Sequence, residues 1–268
     1  MHAPALKIIP SDLLLMAYRS GIFPMADSRD DEEIYWVEPR ERAVIPLDHF
    51  RCSRSLAKAI RRARFRVTCN ADFNAVIAAC AAPRPGHPES WISDRIAASY
   101  RALHMAGHAH SIECWQDGDQ GPELVGGLYG VGFDRAFCGE SMFSHKPDAS
   151  KVALAWLVAL LRRAGYRLLD CQFMTDHLAL LGAVPVTRQA YLAQLADAVM
   201  AGPAPSLPEA YASLAAEAAS AAAGAGDDGG EAVGAGVGAA AGAPSPSSSD
   251  TASSWPGKLI LQSLTQTS

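Results

Sequence analysis

Apolar and polar residues follow two periods along residues 1–200, and each period predicts one type of secondary structure. Apolar residues spaced three and four apart indicate helices, whereas alternation and short β-branched runs indicate strands. The predicted helices cover residues 11–19, 53–64, 72–81, 93–106, 151–164 and 175–181. The predicted strands cover residues 65–69, 110–115, 124–133, 135–143 and 166–172. Because strands precede and follow the 151–164 helix, we expect an α+β or α/β sheet domain over residues 65–200.

The composition changes near residue 200. The chain has 268 residues, of which 49% are hydrophobic and 19% are charged, so it has ample apolar material for a buried core. The formal net charge of -5 arises after residue 200, where Lys258 is the one basic residue. This Ala-, Gly- and Ser-rich tail has few large apolar residues to bury, so we expect it to be disordered or loosely helical. Its last residues, 255–268, are either a docking peptide or, as we favour, a solvated end.

Membrane and secreted classes do not fit the pattern. The longest apolar run, Val152–Leu161, is far shorter than the roughly 20 residues that a membrane span needs. No basic segment followed by a long apolar one marks a secretory signal. The six cysteines are widely spaced and include no C-x-x-C pair, which is typical of reduced thiols. We therefore expect a cytoplasmic protein.

A basic cluster occupies residues 51–66, which contain no acidic residue. Four of its cations, at i, i+4, i+7 and i+8, fall on one face of the predicted helix: Arg54, Lys58, Arg61 and Arg62. Such a stripe can neutralise several phosphates of a nucleic acid. The alternative is a solvated helix face, but an ordinary solvated face also carries acidic residues. The pattern favours a nucleic-acid partner.

Two polar groups stand out among apolar neighbours. The segment 137–144 begins like the G-x-S-x-G elbow of a serine hydrolase but has Phe143 at its fifth position, so the elbow is rejected. It leaves Glu140 as an isolated carboxylate that is either paired structurally or functional. At the end of another strand, Asp170 and Gln172 share one side, where they either polarise an attacking amine or bond to backbone groups.

Histidines offer a metal-binding alternative. His104, His108 and His110 have spacings that zinc sites use, but Gly107 ends the helix between them. No H-E-x-x-H or C-x-x-C motif accompanies them. We therefore expect no metal site.

Short segments in order along residues 12–192 resemble the leucyl/phenylalanyl-tRNA–protein transferase family. The most specific are GHAHS (107–111), GGLYGV (126–131), GESMFS (139–144) and DCQ (170–172). Others are LLMAYRSGIFPM (14–25), RAVIPLD (42–48), SRSL (53–56) and ASK (149–151). Departures from the family pattern are Met25, Tyr35 before Trp36, Thr175, a missing N-terminal G-G-D-L stretch and the tail.

The resemblance implies a fold and an activity. It implies a small N-terminal domain, which we place at residues 1–64, and an acetyltransferase-like mixed-sheet domain at residues 65–200, followed by the tail 201–268. It implies transfer of Leu or Phe, and less well Met, from aminoacyl-tRNA to proteins with N-terminal Lys or Arg, marking them for degradation. It implies a monomer that needs no metal or dissociable cofactor.

The resemblance also implies roles for individual residues. Asp170, Gln172 and Glu140 match the groups that activate and bind the acceptor's amine. The pocket for the apolar amino acid matches Leu128, Met142, Ser144, Leu154, Leu157 and Leu169. The family's aromatic positions around the terminal adenosine correspond to Trp36, Trp91 and Phe137. The basic residues that bind the tRNA body correspond to Arg54, Lys58, Arg61 and Arg62.

Two alternatives stay open at this point. An acyl-CoA N-acyltransferase shares the implied fold, but no Q/R-x-x-G-x-G/A loop precedes the 151–164 helix. A tRNA-binding module without catalysis would suit the changes at Met25 and Thr175.

Overall fold

The computed structural model describes residues 8–83, 89–224 and 256–265. Its helices are α1 Ser11–Arg19, α2 Arg54–Arg61, α3 Phe73–Ala81, α4 Asp94–Met105, α5 Ala149–Arg163, α6 Asp176–Leu180, α7 Arg188–Met200, α8 Leu207–Gly224 and α9 Gly257–Thr265. Its strands are β1 Phe23–Met25, β2 Tyr35–Val37, β3 Glu41–Val44, β4 Arg66–Cys69, β5 Ala109–Gly118, β6 Gly121–Phe133, β7 Ala136–Ser144, β8 Leu168–Gln172 and β9 Val184–Thr187. These elements confirm the α+β class.

Within the described residues, seven strands form one mixed sheet in the order β4-β5-β6-β7-β8-β3-β9. All neighbouring pairs are antiparallel except β7 and β8, which are parallel and are connected through α5. A parallel pair needs such a long crossover, because a tight turn cannot join strands that run in the same direction. Strands β1 and β2 form a separate small hairpin.

Helices cover both faces of the sheet. Helix α5 packs on one face, where it contacts β5, β6 and β7, and helices α3, α4 and α7 pack on the other. The approach of α5 explains a glycine in β6, because a Cβ built on Gly126 would lie 2.4 Å from the Cβ of Ala149. We call the two sides the α5 face and the α3 face.

Strand β3 comes from the segment predicted as the N-terminal domain, yet it lies between β8 and β9 in the sheet. Its register pairs Val44 with Asp170 on one side and with Val184 on the other. The two predicted domains therefore share one sheet, while the boundary between residues 64 and 65 stays a prediction.

The tail contributes two described helices, α8 and α9, that pack on the rest of the fold. Helix α8 lies beside the edge strand β4, and its Tyr211 donates a hydrogen bond to the Val67 carbonyl at 2.9 Å. Helix α9 packs against α2 and α5, with Ile260 fully buried. The buried side of α8 combines Leu207 and Leu214 with the small residues Ala210 and Ala218, so a tail poor in large apolar residues still buries a face. Helix α8 agrees with the expectation of a partly helical tail, whereas the packing of α9 differs from the solvated end that we favoured for residues 255–268. Residues 225–255 lie outside the described residues.

Candidate active site

A cavity of about 310 Å³ opens where β7 and β8 separate. The two strands pair only from Ala136 to Cys138 and from Leu168 to Asp170, and β7 then continues without β8 to Ser144. The gap exposes side chains from both faces of the sheet. Its apolar wall is formed by Leu128, Met142, Leu154, Leu157, Leu169 and Leu178. Its polar residues include Glu140 and Gln172.

Glu140 is held at this gap by a β-bulge. The register with β6 shifts between Tyr129 and Gly130, so Glu140 has no residue opposite it on the neighbouring strand. Its side chain accepts hydrogen bonds from Tyr18 at 2.8 Å, from Tyr100 at 3.0 Å and from the Gln172 amide at 3.0 Å. Burial raises the pKa of Glu140 to about 7, although these three donors lower it. The carboxyl therefore titrates near neutral pH.

Asp170 lies beneath Gln172 and is fully buried. Its Oδ2 accepts hydrogen bonds from Arg42 at 2.9 Å and from Tyr191 at 2.9 Å, and its Oδ1 accepts one from the Gln172 backbone N–H at 2.7 Å. Burial raises the pKa of Asp170, and Arg42 opposes this shift most strongly. Both oxygens are thus occupied, and Asp170 is not among the residues that line the cavity.

The Arg42 guanidinium is itself enclosed. Its side chain is 3% exposed and lies 4.8 Å from the Phe23 ring centroid and 4.5 Å from that of Tyr191. Besides Asp170, it donates to the carbonyl of Gly21. Cation–π contacts and a charge-assisted hydrogen bond therefore fix the cation beside the carboxylate.

Gln172 connects the two acids. Its φ of 62° lies in the left-handed region, which is uncommon for a residue with a Cβ. The hydrogen bond from its N–H to Asp170 supports this conformation, and its side chain then reaches Glu140. The structure therefore brings Glu140, Asp170 and Gln172 into one hydrogen-bonded chain.

The residues expected to bind the apolar amino acid separate into two groups. Leu128, Met142, Leu154, Leu157 and Leu169 all line the cavity. Ser144 does not: its hydroxyl donates to the Lys146 carbonyl at 2.8 Å and accepts from the Ser150 N–H at 3.2 Å. Ser144 therefore organises the turn before α5.

The three aromatic residues expected around an adenosine also separate. Trp91 lines the cavity. Trp36 is 38% exposed on the β1–β2 hairpin and does not line it. Phe137 is fully buried in the core on the α5 face, where its ring meets Tyr166 edge-on at 6.5 Å. Phe137 therefore presents no ring face for a base to stack on.

The basic cluster lies on an exposed face, as its spacing predicts. Helix α2 begins after Ser53, whose hydroxyl accepts a hydrogen bond from the Leu56 N–H. Its apolar side, including Leu56 and Ile60, is buried. Four exposed cations form no ion pair with any described residue: Arg54, Lys58, Arg61 and Arg62.

The sequence did not predict the hydrogen-bonding partners of the two acids, which are Tyr18, Tyr100, Arg42 and Tyr191. Each lies far along the chain from the acid that it binds, so no local spacing connects them. The sequence indicated only that such partners must exist, because Glu140 and Asp170 lie among apolar residues and buried acids need hydrogen-bonding partners.

The histidine cluster is held by protein contacts. His104 Nδ1 lies 2.7 Å from the Ala109 carbonyl, and His110 Nδ1 lies 3.0 Å from the Asn70 side-chain amide. Across residues 8–83, 89–224 and 256–265, no three His, Cys, Asp or Glu side chains are arranged to hold a metal ion. No helix in these ranges is both long and apolar enough to cross a membrane.

The fold and cavity define a mixed α+β protein in which a buried acid–amide chain borders an apolar space, an arrangement suited to acyl transfer. The chain belongs to the leucyl/phenylalanyl-tRNA–protein transferase family, a family of aminoacyltransferases. The family's N-terminal domain matches residues 9–40, and its main domain matches residues 44–196.

Relatives that carry the family's name are similar to this chain over most of their length. The protein of Novosphingobium aromaticivorans is 67% identical over 190 residues, which are 71% of each chain. That of Rhizorhabdus wittichii is 60% identical over 71% of this chain and 75% of its own. That of Zymomonas mobilis is 58% identical over 72% and 70%. Each is named a leucyl/phenylalanyl-tRNA–protein transferase.

Proposed function

We propose that the protein transfers Leu or Phe, and less well Met, from aminoacyl-tRNA to the N-terminal Lys or Arg of acceptor proteins. The observation that carries this proposal is the apolar cavity bordered by the 3.0 Å hydrogen bond between Glu140 and Gln172. A side chain without a branch at Cβ, such as that of Leu or Phe, enters the apolar part, which leaves the ester group beside the polar pair. Excluding β-branched residues by shape is worth only about 1–3 kcal/mol, so discrimination is moderate.

The reaction joins the acceptor's α-amino nitrogen to the ester carbonyl carbon of the donor. The C–N bond forms, the ester C–O bond breaks, the amine loses one proton and the leaving ribose oxygen gains one. Because the ester is already activated, the enzyme's main task is to align the amine with the carbonyl. A carboxyl with a pKa of about 7 is suited to accept the amine's proton, which gives Glu140 this role.

Asp170 acts as a positioning residue in this mechanism. It is buried away from the cavity and both of its oxygens already accept hydrogen bonds. Because Asp170 does not line the cavity, it does not reach the amine, and it supports Gln172 instead. Gln172 lines the cavity and contacts the reacting groups.

The remaining parts of the donor have matching surfaces. Four exposed cations on α2 and at its C-terminal end bind the tRNA body, and each phosphate contact adds to the salt dependence of binding. Trp91 at the cavity offers a ring on which the terminal adenine stacks. Trp36, although outside the cavity, is exposed on the neighbouring hairpin and is a second stacking candidate.

Two departures from the family pattern lie at the cavity itself. Met25 and Thr175 both line it. Thr175 accepts a hydrogen bond from the Leu178 N–H at 3.2 Å and so caps α6. The flexible Met25 side chain, in place of a rigid indole, adapts the wall to different side chains. The preference among Leu, Phe and Met therefore depends on these two positions.

The proposal extends to the biology of the product. A new N-terminal Leu or Phe marks the acceptor for degradation, and the enzyme acts as a cytoplasmic monomer. The division into domains at residues 1–64, 65–200 and 201–268 belongs to the same proposal.

The test is transfer of radiolabelled Leu or Phe from charged tRNA to a peptide that begins with Arg. We expect a labelled peptide with both amino acids, and much less label on a matched peptide that begins with Gly. Absence of transfer with either charged tRNA, by protein that still binds tRNA, would refute the proposal in favour of a binding module.

The role of Asp170 is tested separately. Asp170→Asn should lower kcat while tRNA affinity, measured by filter binding, stays within twofold of the wild type. Unchanged turnover would show that the Asp170–Gln172 contact is dispensable.

A further inference from the structure

Two buried side-chain atoms in the described part of the chain have no hydrogen-bond partner: Oη of Tyr129 and Nε2 of His177. Both residues line the cavity between β7 and β8. Most buried polar groups in folded proteins are hydrogen-bonded, because an unsatisfied group costs free energy. Two such groups at one cavity indicate that a ligand supplies the missing partners.

Tyr129 reaches the cavity from the α3 face. It follows Leu128 in β6, so the two side chains lie on opposite sides of the sheet although both line the cavity. Its ring meets those of Phe73 and Tyr100 edge-on at 5.7 Å and 5.5 Å, which fixes the direction of the hydroxyl. Burial and the nearby charge of Glu140 raise the pKa of Tyr129, so the hydroxyl stays protonated.

His177 reaches the cavity from α6, on the side of the apolar wall. The next residue, Leu178, belongs to the core on the α5 face. Burial and the charge of Lys151 lower the pKa of His177, so the imidazole is neutral at physiological pH. A neutral imidazole offers one donor and one acceptor nitrogen.

We propose that Tyr129 Oη and His177 Nε2 bind the polar atoms of the aminoacyl ester. This inference rests on the proposed function, which supplies a ligand with an apolar side chain and a polar end. The apolar wall satisfies the side chain but leaves the α-amino group, the ester carbonyl and the ribose hydroxyl without partners. Tyr129, beside Glu140, binds the amino group, and His177 binds the oxygen-rich ester and ribose end.

The test uses the fact that a binding role and a structural role predict opposite changes in stability. Tyr129→Phe removes only the unsatisfied hydroxyl, so we expect the melting temperature of the ligand-free protein to stay equal or rise. The KM for Phe-tRNA should rise about tenfold, since one hydrogen bond to substrate is lost. His177→Leu should behave in the same way, and His177→Gln, which keeps a hydrogen-bonding group, should restore part of the affinity.

A matched control is Tyr211→Phe. The Tyr211 hydroxyl already donates to the Val67 carbonyl at 2.9 Å and is remote from the cavity lining. We expect this variant to melt at a lower temperature with an unchanged KM. It therefore calibrates what the loss of a satisfied structural hydroxyl does.

Binding can also be measured without turnover. The probe is phenylalanyl-adenosine with an amide in place of the ester, and the readout is the rise in melting temperature that it causes. A smaller rise for Tyr129→Phe and His177→Leu than for the wild type supports the inference. An equal rise, or an unchanged KM in both variants, overturns it. Failure of the wild type to transfer any amino acid would instead overturn the proposed function.

Discussion

Replacing Arg42 by Met gives the sharpest test of how the buried acids are held. Arg42 is 3% exposed and donates to Asp170 at 2.9 Å, between the rings of Phe23 and Tyr191. Methionine preserves an apolar stem of similar length but removes the positive charge. The variant therefore leaves Asp170 as a buried carboxylate without its counter-ion.

The size of the effect follows from these contacts. Removing one partner of a buried ion pair costs about 3–5 kcal/mol, because the remaining charge is uncompensated. Two lost cation–π contacts add roughly 1 kcal/mol each. Asp170→Asn in the same protein removes the stranded charge, so the double variant should lose only the cation–π part, roughly 2 kcal/mol. The coupling between the two positions is thus expected to be about 3 kcal/mol or more.

The assay is urea unfolding followed by circular dichroism for the wild type, the two single variants and the double variant. Arg42→Met raises the folded pKa of Asp170, and a carboxyl with a raised folded pKa loses stability as pH rises. The loss of unfolding free energy in Arg42→Met, relative to the wild type, should therefore be larger at pH 8 than at pH 5. Additive losses in the double variant, with coupling below about 1 kcal/mol, would refute the reasoning that Arg42 acts through the Asp170 charge.

Three further outcomes are expected. The folded pKa of Glu140, about 7, lies above its ordinary 4.5, so the wild type loses stability as pH rises between these values. Glu140→Gln should remove this pH dependence. Between pH 4 and pH 8 the unfolding free energy of the variant, measured in urea, should therefore gain up to about 3 kcal/mol relative to that of the wild type. Arg61→Glu with Arg62→Glu should weaken tRNA binding most strongly at low salt, which filter binding over a salt series measures. Deletion of residues 257–265 should lower the unfolding free energy by about 1–3 kcal/mol, since it exposes the core contacts of buried Ile260.

The periodic elements could be predicted from the sequence because their signals are local. The 3.6-residue spacing located α1 to α6 within a few residues, as in α2, which was expected at 53–64 and runs from Arg54 to Arg61. The longer strands were also located, β5 from its alternation, and β6 and β7 as apolar stretches interrupted by glycine. Strands β3 and β9 gave no such signal, because β3 begins with two charged residues and β9 contains Pro185, which is unfavourable inside a strand. Their pairing depends on contacts between distant parts of the chain.

The tail helices and the partners of the buried acids likewise depend on contacts between distant residues, which local patterns do not reveal. The alanines of α8 carried no periodic contrast, so the burial of Leu207 depends on a surface that only the folded sheet provides. Arg42 directly follows Arg40 and Glu41, so the sequence does not mark it as a buried cation, and its partner Asp170 is 128 residues away. The family resemblance singled out Asp170 and Gln172 as site candidates but could not show that Arg42 bonds to Asp170.

The bulge at Glu140 explains why strand periodicity alone could not give the site. In a regular strand, Glu140 and Met142 would lie on the same face, since side chains alternate with a period of two. In the structure, Glu140 bonds to Tyr18 and Tyr100 on the α3 face, whereas Met142 packs on the α5 face. The register shift thus places the side chains of Glu140 and Met142, two residues apart in β7, on opposite faces of the sheet. A cavity that joins an apolar wall to a buried carboxylate requires this division, so the bulge is the local feature on which the proposed chemistry depends.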